Sequence, residues 1–425
     1  MTIAVFLGSL LGAMALGMPI AFALLVCGLA LMYHLDMMDA QIIAQNLVNG
    51  ADSFPLMAVP FFMLAGEIMN TGGLSKRIVN VAMALVGHVR GGLGYVAILA
   101  ACLLSALSGS AVADAAALSA LLVPMMVQAG HNRAKSCGLI AAGGIIGPII
   151  PPSIGFIIFG VAANLSISKL FLAGIFPGLI IGLSLVAAWW WSVRNEHITP
   201  PPRKSAGEVL KALSDGIWAL MLPLIIVFGL KFGIFTPTEA AVVCAMYSLF
   251  VAVFIYRELK FGQIYAVLVT AAKTTAIVMF LVAAALVSAW LITVADLPGQ
   301  IVGLLEPFMG NKLLLMLAMM AIVVIVGTAM DMTPTILILT PVLMPVVLKA
   351  GIDPIYFGVL FIINNSIGLI TPPVGTVLNV VAGVGKVSMD DLMKGVWPFM
   401  LAELLALLLL ILFPPLVMVP ASWFN

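Results

Sequence analysis

Two stretches of this sequence interrupt apolar runs with the same punctuation: residues 147–153 read GPIIPPS and residues 368–374 read GLITPPV. Proline lacks a backbone N–H and clashes with the preceding turn, so neither stretch can continue a helix. The N–H and C=O groups freed on either side must find other partners. In hydrocarbon, such irregular backbone survives only where it is buried in protein or lines a wet cavity.

Composition places these breaks in hydrocarbon. The 425 residues are 64% hydrophobic and 8% charged, against about 25% charged in soluble proteins. Apolar blocks fall near 3–18, 20–34, 55–72, 96–130, 136–163, 169–193, 217–232, 237–256, 263–295, 312–351, 355–385 and 395–418. Many approach or exceed the roughly 20 residues that span a bilayer. The chain reads as an all-α polytopic membrane protein. Its net charge of +1 gives no basic surface for nucleic acid. The start, MTIAVFLGSLLGAMALG, lacks the cationic region of a cleavable signal and reads as the first membrane segment. Cys27, Cys102, Cys137 and Cys244 lie in apolar sequence at no metal-ligand spacing and read as reduced packing residues.

The breaks belong to a duplication. Pro151-Pro152 recurs as Pro372-Pro373, 221 residues later, and Ala129-Gly130, Pro124, Gly174 and Pro177 recur as Ala350-Gly351, Pro345, Gly395 and Pro398 at the same offset. SGSA (108–111) pairs with VGTA (326–329) at 218, which requires a gap of three. The repeats are 1–193 and 217–425, joined by a polar linker, 194–216, whose TPPPRK is expected to be extended. In each half a block of odd length is expected to form a re-entrant hairpin of two half-helices: 96–130, with its tip in SALSGSAVAD, and 312–351, with its tip in VGTAMDMTPT. A broken helix follows each, about 136–163 and about 355–385. The basic loops HNRAKS, the linker and YRELK share one side if each half has about five spans and one hairpin. The halves are then inverted, with both termini periplasmic.

Inverted repeats with broken helices describe a secondary transporter. Carbonyl and hydroxyl oxygens suit Na⁺, and freed half-helix N-termini favour an anion. The first half offers Ser105, Ser108, Gly109 and Ser110 with the backbone around Gly147 and Pro148. The second offers Gly327, Thr328, Thr333 and Thr335 with Gly368 and Thr371. Small residues at close helix contacts, and hydroxyls bonded back to their own helices, are the simpler alternative for any one of these positions. The breaks at Pro151, Pro152, Pro372 and Pro373, with Ser110, Thr328 and Thr335 beside them, are where such an anionic group would be met. Asp114 and Asp331 follow the tips, and each either orients its tip near a cation or caps the next half-helix. Lys273 is deep in an apolar run; it pairs with a carboxylate, meets an anionic substrate or snorkels to the interface. Glu67 and Glu239 read as interface markers, Trp189–Trp191 as an interfacial belt, and His131 has no assigned role. No HExxH, nucleophile–base pair or GxxxxGK[ST] is present, so neither an enzyme nor a nucleotide-driven pump is expected.

DSFPLMAVPFFMLAGEIMNTGGLSKRI (52–78), LSGSAVADAAALSALLVPMM (107–126), GGIIGPIIPPSIGFIIFGV (143–161), SKLFLAGIFPG (168–178) and GIFTPTEAA (233–241) resemble the DctM-like large membrane subunit of tripartite ATP-independent periplasmic (TRAP) transporters, and the resemblance covers essentially the whole chain. It implies an elevator-type carrier of the ion-transporter superfamily in the bacterial inner membrane. It also implies two partners: a small four-helix membrane subunit (DctQ-like) and a periplasmic substrate-binding protein. The implied substrates are organic acids taken up with Na⁺, of the 2,3-diketogulonate, sialic acid or C4-dicarboxylate kind. By this resemblance one sodium site uses Ser105, Ser108 and Ser110 with backbone near Gly147. The other uses Thr328 with backbone near Gly368 and Thr371. The rivals are a stand-alone Na⁺/carboxylate symporter, a proton-translocating subunit of a redox complex and an intramembrane enzyme.

Overall fold

The structure, a computed structural model, describes residues 2–194 and 202–423. Among them are twenty α-helices and no strand. The first half holds α1 (Thr2–Ala15), α2 (Ile20–His34), α3 (Ala40–Ala51), α4 (Ala58–Thr71), α5 (Leu74–Val86), α6 (Gly92–Ser108), α7 (Ala111–Gln128), α8 (Arg133–Gly144), α9 (Ile154–Ala162) and α10 (Ile167–Val193). The second holds α11 (Ala206–Lys231), α12 (Pro237–Phe250), α13 (Phe261–Val294), α14 (Leu297–Leu305), α15 (Lys312–Ala329), α16 (Met332–Lys349), α17 (Pro354–Gly368), α18 (Thr376–Gly385), α19 (Met389–Leu412) and α20 (Pro415–Ser422). Nine helical segments among the described residues are long and apolar enough to cross a membrane.

The linker divides between two descriptions. Residues 195–201, with most of the prolines expected to be extended, lie outside the described residues. From Ala206 the polar stretch is helix. Glu208 N–H donates to Ser205 Oγ (3.3 Å), and the Glu208 carboxylate accepts the Ser205 N–H (2.7 Å), a capping box written in the sequence as SAGE. Thr236 and Glu239 start α12 in the same way, so Glu239 is a helix cap.

The helix pairs α6–α7 and α15–α16 occupy the two hairpin blocks. The arms are 17, 18, 18 and 18 residues long, each about 25–27 Å at ~1.5 Å per residue. Each arm is thus longer than half of a ~30 Å hydrocarbon core. The offset of 221 aligns α6–α10 with α15–α19. It also aligns α3 and α4, separate helices, with the single 34-residue α13.

Contacts between the halves are reciprocal: α7 packs on α18 as α16 packs on α9, and α4 on α12 as α13 on α2. The two broken helices run antiparallel. At one end Arg133, where α8 starts, donates to the carbonyl of Gly385, where α18 stops (2.9 Å). At the other, Phe159 near the end of α9 meets Phe357 near the start of α17, ring centres 6.4 Å apart. Small residues let backbones approach at the crossings, the usual device in membranes. A Cβ on Gly138 of α8 would lie 2.6 Å from the Val396 nitrogen of α19 and closer still to the Gly395 carbonyl. Trp189 departs from the expected interfacial belt. It is fully buried, donates to the Gly91 carbonyl (2.8 Å) and faces Phe399, whereas Trp190 and Trp191 are exposed.

Gly138→Leu is expected to force α8 and α19 apart at a cost of about 1–3 kcal/mol, the range for overpacking. Thermal unfolding in detergent should show a lowered midpoint beside Gly262→Ala, whose position has open space. Equal midpoints would mean that this crossing relaxes without cost.

Candidate functional site

At the first tip, α6 ends at Ser108, and Gly109 turns the chain at φ +62°, a conformation that favours glycine. A Cβ on Gly109 would meet the Ile154 nitrogen at 3.2 Å and the Pro152 carbonyl closer still, so the tip rests directly on the first break. The Ser110 hydroxyl caps α7 by accepting the Ala113 N–H (3.4 Å). Ser108 Oγ accepts the Ser110 N–H (3.2 Å) and donates to Asp114 Oδ1 (2.5 Å). Asp114 therefore holds the tip through Ser108, while Ser110 supplies the cap.

Asp114 is 4% exposed, and its Oδ2 has no hydrogen-bond partner among the described residues. A Cβ on Gly147 would stand 2.7 Å from that oxygen. Glycine thus lets the backbone of the break come against the free carboxylate oxygen. Ser108, Ser110, Asp114 and Gly147 are brought together as one oxygen-rich cluster. Ser105 is fully buried one turn back, its hydroxyl donating to the Cys102 carbonyl (2.8 Å) and its carbonyl accepting the Gly109 N–H. Across the break, Ser153 donates to the Pro148 carbonyl and accepts the Phe156 N–H (3.1 Å), capping α9.

The second tip corrects the sequence alignment. α15 continues to Ala329, so Gly327 and Thr328 lie in its last turn, and the turn itself is Met330-Asp331. No gap of three is needed. At the constant offset Asp331 takes the place of Ser110, and Thr335 that of Asp114. Hydroxyl and carboxylate have exchanged positions between the halves. The Asp331 side chain makes no cap bond; it accepts from Thr376 Oγ1 at the start of α18 (3.5 Å). Thr335 Oγ1 donates to the Asp331 carbonyl (2.9 Å).

Tip and break touch here too: the Val374 N–H donates to the Thr328 carbonyl (3.2 Å). A Cβ on Gly368 would lie 2.8 Å from the Gly327 carbonyl carbon. The hydroxyls of Thr328 and Thr371 donate within their own segments, to Ile325 (2.8 Å) and Ile367 (2.7 Å). Thr333 is half-buried. The two clusters adjoin, since a Cβ on Gly155, at the start of α9, would meet Met332 Sδ at 2.9 Å.

Exposure separates the breaks. Pro151, Pro152 and Ser153 are buried, whereas Pro372, Pro373 and Val374 are exposed. Both Pro-Pro bonds are cis. Lys273 does not reach either cluster: it is exposed on α13 and makes no hydrogen bond or ion pair among the described residues.

Sequence reading missed Asn365 and Ser153. Asn365 is fully buried, donates to the Met332 carbonyl (3.1 Å), and points toward Gly327 an Oδ1 that has no partner among the described residues. Its signal was the polar pair Asn364-Asn365 in an apolar run one turn before the break. Glu403 on α19 was also missed: it is fully buried, with neither oxygen partnered among the described residues, and stands at the position of Gly182 in the other half.

The chain resembles known proteins along its whole length. It is 58% identical over 425 residues, all of both chains, to the 2,3-diketo-L-gulonate TRAP transporter large permease protein YiaN of Escherichia coli. It is 38% identical over 403 residues to the isethionate TRAP transporter permease protein DctMQ of Oleidesulfovibrio alaskensis, covering 95% of this chain and 63% of that one. Both are named as transporter permeases. The fold is similar to the Alcanivorax borkumensis YdaH transporter, whose crystal structure is described as having an unusual topology; the TM-score is 0.65 at 16% identity, over 88% of this chain and 89% of that one. Residues 7–416 match the DctM component of the tripartite ATP-independent periplasmic transporters, and the chain belongs to that family of large permease subunits.

Proposed function

We propose that this permease imports a small organic acid together with Na⁺ across the bacterial inner membrane. In this reading it works with a small four-helix membrane subunit and a periplasmic binding protein that delivers the substrate. A sugar-derived acid such as 2,3-diketogulonate is the favoured cargo, by likeness to the Escherichia coli relative. The observation that carries the reading is the first cluster. Asp114 Oδ2 is a buried carboxylate oxygen without a donor, set against the Gly147 backbone and one bond from Ser108. A buried charge of this kind is stable only when paired, and Na⁺ is a small cation that oxygen ligands complement.

The second cluster is the place for the substrate carboxylate. It lies beside the exposed break, at the start of α18, where no side chain caps the helix, and such helix starts favour anions. Ser110, Thr328 and Thr335 flank the same region, with Pro151 and Pro152 on the closed side and Pro372 and Pro373 on the open side. Thr371 and Gly368 supply backbone for a second ion. Alternating access then follows if the body carrying both hairpins and both broken helices moves against the remaining helices, as in an elevator. The difference in exposure between the two breaks supports one side being open at a time.

Uptake by the chain reconstituted with both partners is expected to stop when Na⁺ is replaced by K⁺; full uptake in K⁺ with no sodium gradient would overturn the coupling. Ser108→Ala and Asp114→Asn are each expected to raise the Na⁺ concentration for half-maximal uptake about tenfold, since bonds to charged groups are worth about 1.5–3 kcal/mol. Their elution profile and melting point should stay near those of the parent. A sodium response indistinguishable from the parent's removes the substituted residue from the ion site.

A further inference from the structure

We propose that the cavity where α5, the first turns of α11 and residues 255–258 meet binds an anionic phospholipid, with the lipid phosphate held among Lys76, Lys204 and Lys211. None of the residues lining it belongs to either tip cluster.

Two of the basic stretches, the linker and YRELK, come together here against α5. Lys204 from the linker, Tyr256 and Glu258 from YRELK, and Lys76 and Arg77 of α5 all line one cavity of about 870 Å³. One corner of it is fixed by its own bonds. Arg77 Nη1 donates to Glu258 Oε1 (2.6 Å) and to the Gly73 carbonyl (3.0 Å), and the guanidinium lies 3.7 Å from the centre of the Tyr256 ring. Tyr256 donates in turn to the Asp215 carbonyl of α11 (2.9 Å). Gly73 makes room for this corner, because a Cβ there would fall on the Glu258 carboxylate.

The charges around the cavity are not balanced. Lys76, Arg77, Lys204 and Lys211 line it with Glu208, Asp215 and Glu258. Glu258 is taken up by Arg77, and Glu208 by the Ser205 N–H (2.7 Å) and hydroxyl (2.8 Å) at the start of α11. Three lysines then share Asp215. Each is exposed and makes no hydrogen bond or ion pair among the described residues. Ammonium groups gathered around one space repel one another, and an anion between them reverses the sign of that interaction.

The edge of the cavity selects the kind of anion. Glu208, Lys211, Asp215 and Trp218 follow at spacings of three and four, so they share one face of α11. Beyond Trp218 the helix runs on as ALMLPLIIVFGL, with Trp218 43% and Met221 38% exposed. A tryptophan at such a change marks the boundary between headgroups and hydrocarbon. Lys211 lies seven residues before it, about 10 Å outward along the helix at ~1.5 Å per residue, a depth that suits a lipid phosphate. A free phosphate would use the lysines alone. A phospholipid also covers Ile255 and Trp218 in the cavity wall, and basic pockets between membrane helices are known places for anionic headgroups.

The test uses the full chain, extracted in mild detergent with any membrane subunit that accompanies it. Bound lipid is counted by native mass spectrometry after adding dioleoyl phosphatidylglycerol, dioleoyl phosphatidylcholine or inorganic phosphate. The parent is expected to retain one phosphatidylglycerol in preference to phosphatidylcholine, and inorganic phosphate should not displace it. Lys211→Gln is expected to weaken retention about 5-fold and Lys76→Gln with Lys211→Gln about 30-fold. Lys349→Gln, an exposed lysine at the end of α16, should match the parent. On the unaltered chain, acetylation of Lys76 and Lys211 should be slowed by phosphatidylglycerol and not by phosphatidylcholine, a readout that needs no variant to fold. Equal retention of the two lipids, or a double variant that binds as the parent does, overturns the site. Displacement by inorganic phosphate, or lysines shielded by an accompanying subunit without lipid, overturns the assignment to a phospholipid.

Discussion

Backbone that cannot reach water is the constraint from which the rest of this structure follows. Each proline break leaves peptide groups without helical partners in an apolar setting, and each is met by the turn of a hairpin. Gly109 rests on the Pro152 carbonyl and the Ile154 nitrogen, and Thr328 accepts from Val374. Buried polar groups that lack partners are expensive, so the tips cannot withdraw from the breaks unless something else takes their place. This ties the local irregularity to the placement of four long helices, α6, α7, α15 and α16.

The class of fold was legible because it depends on quantities that sequence carries directly: block lengths, matched prolines and a fixed offset. The first cluster was legible for a related reason, since Ser108, Gly109 and Ser110 are polar and small where their neighbours are apolar. The second was misread. The likeness of VGTA to SGSA invited a gap, whereas the helix ends show that the turn lies two residues past Thr328, at Met330-Asp331. Residue similarity and positional equivalence parted because the halves exchanged a hydroxyl for a carboxylate at both sites of one helix turn. Lys273 stayed open among three readings because its role depends on which face of α13 points outward. Periodicity could not decide that face in a helix apolar nearly all round. Asn365 was overlooked because an asparagine inside a helix looks like a packing residue until the neighbouring glycine is seen to leave its oxygen open.

Two equal frames therefore carry unequal chemistry. The first half keeps its carboxylate under the tip, buried and in line with the serine that forms the turn. The second keeps its carboxylate on the turn, exposed and near the start of α18. Charge held at different depths gives the two half-sites different reach toward solvent.

The reciprocal packing has one more consequence. The second arm of each hairpin lies on the broken helix of the opposite half, and the Gly138–Gly395 crossing brings the two backbones against each other with no side chain between. Neither half encloses its own site. A primordial single-repeat protein of this design would have needed two copies inserted in opposite senses. Joining them in one chain guarantees a one-to-one ratio and lets the copies diverge, as the exchanged serine and aspartate show they have.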